Sequence, residues 1–133
     1  MIFVDSSFWV GLAFPRDNRH AEVRALHEVY ARERLVTSNH VRGETWTVLR
    51  RRAGHHVAAR ALELLETAPR LRIEFISRDL EAEALRWLRR HDEREYSFVD
   101  ASSFALMRSL RIREAFAFDG DFAAAGFVEL RPA

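Results

Sequence analysis

The sequence contains no cysteine, and its 21 strongly basic residues are all arginine, so lysine is absent as well. Without cysteine, disulfides, thiolate zinc sites and cysteine nucleophiles are excluded. Without lysine, a Walker-type phosphate loop and a Schiff-base nucleophile are excluded, because both need the lysine amine. No apolar run approaches the roughly 20 residues of a membrane-spanning helix, so we expect no membrane association and a cytoplasmic location.

The chain has 133 residues, of which 48% are hydrophobic, and a net charge of +1. This length and composition predict one domain, residues 1–133, that buries a core without a metal or a disulfide. We find no internal repeat, linker or low-complexity segment. The near-zero net charge gives no general sign of a nucleic-acid partner.

Short apolar strands alternate with amphipathic helices along the chain. Strands are predicted at 2–4, 35–37, 71–76, 115–118 and, at an edge, 127–130. Helices are predicted from about Ser7, at 18–34, from a cap at Ser38 or Asn39 to Gly54, and at 58–67, 80–90, 97–110 and 121–125. The alternation predicts a three-layer α/β/α sandwich with a central, mostly parallel sheet.

Four acidic residues stand apart from the charged helix surfaces. Asp5 and Asp119 follow predicted strands, and Asp100 begins the helix that leads into the second of these strands. Glu44 lies on the apolar stripe of its helix, where it can reach the other acids. Because the carboxyl ends of parallel strands meet at one edge, we expect these carboxylates to lie together.

Each acid taken alone also has a structural interpretation. Asp5 could cap the first helix, and Ser97 with Asp100 has the spacing of a capping box. Glu44 could pair with Arg51, and the acids of the last turn fit an ordinary turn and helix cap. Taken together, several close carboxylates repel one another unless a cation compensates their charge.

Oxygen ligands without histidine or cysteine favour a hard cation, Mg²⁺ or Mn²⁺, over zinc. Such a site suits attack of water on a phosphodiester. The pattern therefore favours a metal-dependent phosphodiesterase.

At this point four segments resemble a known family. They are Val4-Asp5-Ser6-Ser7, Gly43-Glu44-Thr45, Ser97-Phe98-Val99-Asp100-Ala101 and Phe118-Asp119-Gly120-Asp121-Phe122. In this order they resemble the PIN-domain ribonucleases, in particular the VapC-type toxins of bacterial and archaeal toxin–antitoxin pairs. The resemblance runs from Met1 to about Phe127. It implies the α/β/α fold, an Mg²⁺ or Mn²⁺ site, endonucleolytic cleavage of single-stranded or structured RNA, a homodimer and a cognate antitoxin.

The resemblance also implies roles for individual residues. Asp5, Glu44, Asp100 and Asp119 would be metal ligands or would activate the attacking water. Ser7 matches a position where the family places a hydroxyl or amide near the metal, and Asp121 would be an accessory acid. The choice between Asp119 and Asp121 as the fourth acid stays open, and we favour Asp119.

RNA would also need positive groups near the acids. Arg42 is close to Glu44 in sequence, and Arg51 lies on the same helix face, so both are candidate substrate contacts. Arginines at the end of this helix could instead simply stabilise its C-terminus through the helix dipole.

Three alternatives to a toxin remain. A PIN-domain nuclease of RNA processing would need the same acids. A haloacid-dehalogenase-like phosphatase needs a second aspartate where this chain has Ser7, and a lysine, so it is less favoured. A non-catalytic PIN-like binding module would be expected to have lost one of the acids, and all four are present.

Overall fold

A computed structural model describes residues 1–132. Within these residues, five parallel strands form one sheet in the order β3-β2-β1-β4-β5. The strands are β1 Ile2–Val4, β2 Leu35–Ser38, β3 Leu71–Glu74, β4 Glu114–Phe116 and β5 Val128–Glu129. The predicted fold class is confirmed, and the last strand lies at an edge as expected.

The helices connect consecutive strands, as parallel pairing requires. They are α1 Ser6–Ala13, α2 His20–Val29, α3 Asn39–Ala53, α4 His55–Thr67, α5 Arg78–Arg90, α6 Phe98–Leu110 and α7 Asp121–Ala124. In the part of the chain that is described, no helix is long and apolar enough to cross a membrane.

Aromatic side chains fill the core on both faces of the sheet. On one face, Phe116 of β4 stacks on Phe8 of α1 and meets the ring of Tyr30, which follows α2. On the other face, Phe3 of β1 and Phe104 of α6 both contact Phe122 of α7. The sheet is therefore covered on both sides, and its central strand β1 is buried throughout.

Helix α3 packs against α1 and α4 and also contacts α6. It begins directly after β2, where the Ser38 side chain accepts a hydrogen bond from Val41 N at 3.0 Å. Ser38, rather than Asn39, is thus the helix cap. Asn39 Oδ1 instead accepts a bond from Ile76 N at 2.8 Å, which links the start of α3 to the chain after β3.

Several predicted boundaries were wrong by a few residues. The helix predicted at 18–34 is limited to His20–Val29, since Asp17 turns the chain before it and residues 30–34 return to β2. The helix predicted from 58 begins at His55, because Gly54 at φ 93° separates two helices within one residue. The helices predicted from about Ser7, from 80 and from 97 begin one or two residues away, while 121–125 ends one residue early.

The strands after β2 also differ from prediction. The strand predicted at 71–76 ends at Glu74, because its partner β2 ends at Ser38. The strand predicted at 115–118 ends at Phe116. There Asp5 N donates a hydrogen bond to Phe116 O at 3.0 Å, and the chain after β1 then turns into α1. The strand predicted at 127–130 is limited to Val128–Glu129. Asp5 and Asp119 therefore lie beyond strand ends rather than within the strands.

Candidate active site

Asp5 is the most buried of the acids, with 4% of its surface exposed. It caps α1: Oδ2 accepts hydrogen bonds from Ser7 N at 3.4 Å and from Ser7 Oγ at 2.8 Å. Its other oxygen, Oδ1, is buried and has no hydrogen-bond partner among residues 1–132. Such an atom is unusual, because buried polar groups are nearly always paired. Asp5 is thus both a helix cap and an acceptor that is open to another group.

Glu44 approaches Asp5 from the second turn of α3. Ser6 Oγ donates a hydrogen bond to Glu44 Oε1, so the residue after Asp5 fixes the neighbouring carboxylate. Ser6 is itself 8% exposed. Within residues 1–132, Glu44 forms no ion pair with Arg51, the alternative that the sequence offered; it binds Ser6 instead.

Asp100 lies in the first turn of α6, where it forms the predicted capping box. Ser97 N donates to Asp100 Oδ2 at 3.1 Å, and Asp100 N donates to Ser97 Oγ at 2.9 Å. The box uses only Oδ2 of the carboxylate. As with Asp5, the capping bond therefore orients a carboxylate whose Oδ1 remains for other contacts.

The acids are close enough to alter one another's protonation. Burial, assisted by the charges of Asp100 and Glu44, raises the pKa of Asp5 from 3.8 to about 7, although its bonds from Ser7 oppose the change. Burial also raises the pKa of Asp100 from 3.8 to about 6, with the charges of Asp121 and Glu44 adding to the effect. The site therefore stabilises protons on its carboxylates and would gain from a cation.

Asp119 and Asp121 lie in one turn but face different neighbours. Asp119 lines a cleft with Glu44, whereas Asp121 Oδ1 accepts a bond from Arg94 Nε at 2.9 Å. Arg94 Nη2 also donates to the backbone carbonyl of Asp119 at 3.2 Å. The charge of Asp121 nevertheless reaches Asp100.

Sequence reasoning missed Glu129, the side chain that binds the backbone of the turn containing Asp119 and Asp121. Glu129 of β5 accepts hydrogen bonds from Gly120 N at 3.3 Å and from Ala123 N at 3.1 Å. Its carboxylate, 6% exposed, is bound in turn by Arg131 Nη2 at 3.1 Å. Gly120 adopts φ 82°, a conformation that favours glycine. The edge strand thereby determines where Asp119 and Asp121 lie.

The cleft beside the acids has a volume of about 310 Å³. Its acidic part contains Glu44 and Asp119, together with the hydroxyl residues that follow Asp5. Its remaining part comes from the loop between α1 and α2 and from the last turn of α3. The lining residues are Ser6, Ser7, Val10, Asp17, Asn18, Arg19, Glu44, Val48, Arg52 and Asp119.

The predicted arginine contacts, Arg42 and Arg51, do not line this cleft. Arg42 lies over the exposed ring of Phe75, 5.5 Å from its centroid, and Arg51 is exposed to solvent. The cleft instead contains Arg52, which an ion pair with Asp17 draws toward α1, and Arg19. Helical spacing could have suggested Arg52, since Glu44, Val48 and Arg52 are each four residues apart. No sequence signal indicates Arg19.

No group of three Asp, Glu or His side chains within residues 1–132 is arranged to hold a metal ion as it stands. The donor chemistry still fits a hard cation, because Asp5 Oδ1 is open and because burial, with smaller contributions from neighbouring acids, raises the pKa of both Asp5 and Asp100 in the absence of a compensating positive charge. Carboxylate and hydroxyl oxygens are the ligands that Mg²⁺ and Mn²⁺ prefer.

Residues 2–128 match the PIN domain family. The chain belongs to this family. The predicted resemblance is thereby confirmed, and the haloacid-dehalogenase alternative is excluded. Two curated relatives are similar to this PIN domain over nearly its whole length. They are the 23S rRNA-specific endonuclease VapC20 of Mycobacterium tuberculosis strains CDC 1551/Oshkosh and ATCC 25618/H37Rv, each 55% identical over 133 residues that cover 99% of both chains.

The crystal structure of Mycobacterium tuberculosis VapC20 is described as that of a sarcin-ricin loop cleaving toxin. It superposes on this PIN domain with a TM-score of 0.91 and 52% identity, covering 99% of this chain and 100% of the other. The fold of a VapC toxin is therefore shared over the entire described chain.

The first prediction concerns the buried carboxylate in the metal-free protein. A pKa of about 7 in the folded chain, against 3.8 when Asp5 is exposed, means that folding favours the protonated form. The stabilisation is complete below pH 4 and is lost as the pH rises toward 7. Because Asp5→Asn does not titrate, we expect its unfolding free energy to rise relative to wild type between pH 4 and pH 8. Urea denaturation in EDTA measures both values, and a constant difference would contradict the raised pKa.

The second prediction concerns the support of the acidic turn. Glu129→Ala removes the acceptor of the Gly120 and Ala123 amides, so we expect both to exchange with solvent faster and the protein to lose about 1–3 kcal/mol of stability. Hydrogen exchange followed by NMR, with denaturation in parallel, measures the two effects. Glu114→Ala, at an exposed position of β4, is the matched control and should change neither. Unchanged exchange at Gly120 in Glu129→Ala would show that the turn holds its position without Glu129.

Proposed function

We propose that the protein is an endoribonuclease that uses Mg²⁺ or Mn²⁺ and acts as the toxin of a toxin–antitoxin pair. The observation that carries the proposal is the Asp5 carboxylate, whose Oδ1 is unpaired within residues 1–132 and whose pKa is raised by burial and, to a smaller extent, by the charges of Asp100 and Glu44. A stable fold would not retain this arrangement for helix capping alone, since Ser or Asn caps a helix without the burial of charge.

Asp5, Asp100, Glu44 and Asp119 would hold the cation, and Asp121 would act as an accessory acid. We favour Asp119 as the fourth acid, since it borders the cleft while Asp121 is engaged by Arg94. When bound, a divalent cation lowers the pKa of water and stabilises charge on the phosphodiester. The Ser7 hydroxyl keeps the Asp5 carboxylate oriented, and the Ser6 bond leaves Glu44 Oε2 free either to hold the cation or to accept a proton from the attacking water.

The proposed substrate is RNA, specifically the sarcin–ricin loop of 23S rRNA. The support is the 55% identity to a 23S rRNA-specific endonuclease and the 0.91 TM-score to a toxin that cleaves this loop. Loops suit such an enzyme because proteins recognise RNA sequence mainly where bases are unstacked. A ribosomal substrate also agrees with the expected cytoplasmic location.

The toxin role implies a cognate antitoxin, and we also propose a homodimer. A basic antitoxin side chain would be attracted to the uncompensated acids. Growth after induced expression distinguishes a toxin from a nuclease of RNA processing. Wild type should arrest growth, whereas Asp100→Asn should not at an equal protein level; continued growth with abundant, active wild type would contradict the toxin role.

The third prediction tests the chemistry. Purified wild type with Mg²⁺ or Mn²⁺ should cleave an RNA oligonucleotide that contains the sarcin–ricin loop, and EDTA should stop cleavage. Asp5→Asn should reduce the rate by at least about 100-fold, the scale on which loss of electrostatic stabilisation acts in active sites.

Asp92→Asn, at an exposed position away from the cleft, is the matched control and should cleave like wild type. Circular dichroism should give the same spectrum for all three proteins. Cleavage by Asp5→Asn at the wild-type rate would reject the assignment, and a folded wild type without activity on any RNA would favour a non-catalytic PIN-like module.

A further inference from the structure

We propose that Arg19 and Arg52 form a phosphate-binding subsite that holds the RNA backbone next to the phosphodiester being cut. The inference rests on the proposed endoribonuclease function and goes beyond it by assigning the side chains that grip the substrate. Both arginines line the cleft that also contains Glu44 and Asp119.

Arg52 lies at the far end of the face of α3 that borders the cleft. From Glu44 to Arg52 the helix advances eight residues, or about 12 Å along its axis. A phosphate at Arg52 would therefore be a neighbour of the phosphate at the acids, not the same group. This separation lets one RNA strand contact the acids and the arginine at the same time.

The Arg52 guanidinium is available to a ligand. Its side chain is 58% exposed, and its only ion pair, among the residues described, is with Asp17 Oδ1 at 3.5 Å. Only the arginine end of this pair is exposed, since the Asp17 side chain is 12% exposed. An RNA phosphate can therefore bind the exposed side of the guanidinium while the Asp17 contact is kept, and arginine presents two parallel N–H groups that match phosphate oxygens.

Arg19 is held in place by contacts that leave donors free. Its guanidinium lies over the ring of Phe118, 5.2 Å from the centroid, and Phe118 directly precedes Asp119. A guanidinium over an aromatic face keeps its N–H groups around the edge of the plane, where they can donate. Its contact with Glu22 Oε1, at 3.7 Å, is long and partly exposed. Arg19 is thus fixed beside an acid of the site.

Asp17 links the two arginines. Its Oδ2 accepts a hydrogen bond from Arg19 N at 3.0 Å, and its Oδ1 pairs with Arg52. With a side chain only 12% exposed, Asp17 is a fixed support in the loop between α1 and α2. The loop, the end of α3 and the segment before Asp119 therefore converge on one place in the cleft.

The charge of the cleft favours a phosphodiester over an acidic protein segment. A divalent cation on Glu44 and Asp119 would offset their negative charge, so that the two arginines would outnumber the remaining acid of the cleft, Asp17. Two successive phosphates of one RNA strand can lie at the metal-bound acids and at the two arginines. The carboxylates of a protein partner have no fixed spacing that matches these two positions. A role of these arginines in holding a protein partner instead is an outcome of the test below.

The test measures RNA binding without cleavage and cleavage separately. In the Asp5→Asn protein, Arg19→Gln and Arg52→Gln should each make the salt dependence of RNA affinity shallower by about 0.7 in log–log slope, or about five-fold in affinity per tenfold change in salt. In the otherwise wild-type protein, which retains Asp5, the same substitutions should raise KM and leave kcat within about two-fold of the wild-type value. Arg50→Gln, an exposed arginine outside the cleft, is the matched control and should alter neither quantity.

Arg52→Lys provides a second control, because it keeps the charge and loses the fork of donors. It should restore the salt slope and only part of the affinity. If wild type cleaved RNA while the double variant Arg19→Gln/Arg52→Gln had an unchanged KM and salt slope, the subsite would be overturned and the endoribonuclease function would stand. Loss of antitoxin binding by the double variant would not alter this conclusion. If wild type bound RNA but did not cleave it, and the arginine substitutions weakened this binding, the result would overturn the function and leave the subsite standing.

Discussion

The buried carboxylate of Asp5 is the constraint on which the rest of the site depends. It lies where the central strand β1 ends, and its Oδ1 has no partner within the described chain. Helix N-termini carry partial positive charge, which stabilises anions at this edge of the sheet. Asp5 and Asp100 both use that charge by capping a helix through Oδ2. Capping offsets only part of their repulsion and burial, as the raised pKa values show, and a cation would offset the remainder.

Two elements bring the rest of the molecule to this edge. Helix α3 supplies Glu44 and Arg52 at opposite ends of one face, and its start is fixed by Ser38 and Asn39. The edge strand β5 fixes the acidic turn through Glu129. The result is one cleft with Glu44 and Asp119 at one part and with Arg19 and Arg52 around Asp17 at another, a charge distribution suited to a metal-bound phosphodiester with a neighbouring phosphate.

The common edge of the acids was predictable, because it follows from parallel strands and from short motifs that directly follow or precede them. For Asp5 and Asp100 the sequence suggested either a cap or a ligand; the structure contains both capping hydrogen bonds, and the ligand role stays a proposal. Arg19 and Glu129 were not predictable. Arg19 is positioned by the ring of Phe118, and Glu129 by the amides of the turn that begins at Gly120. Neither contact follows from a periodic pattern in the sequence. Arg51 was favoured over Arg52 because position seven after Glu44 lies nearer to its helix face than position eight, although the four-residue spacing also allows Arg52, which the ion pair with Asp17 holds at the cleft.

Titration of the metal-free protein with Mn²⁺ tests most directly whether Asp5, Glu44 and Asp100 form one cation site. Electron paramagnetic resonance should detect saturable binding to wild type, and calorimetry at pH 6.5 in buffers of different ionisation enthalpy should detect the release of protons from the carboxylates. Asp5→Asn, Glu44→Gln and Asp100→Asn should each weaken binding strongly, and binding to wild type should tighten from pH 5.5 to pH 7.5. Equal Mn²⁺ binding by wild type and all three variants, without proton release, would contradict a shared cation site.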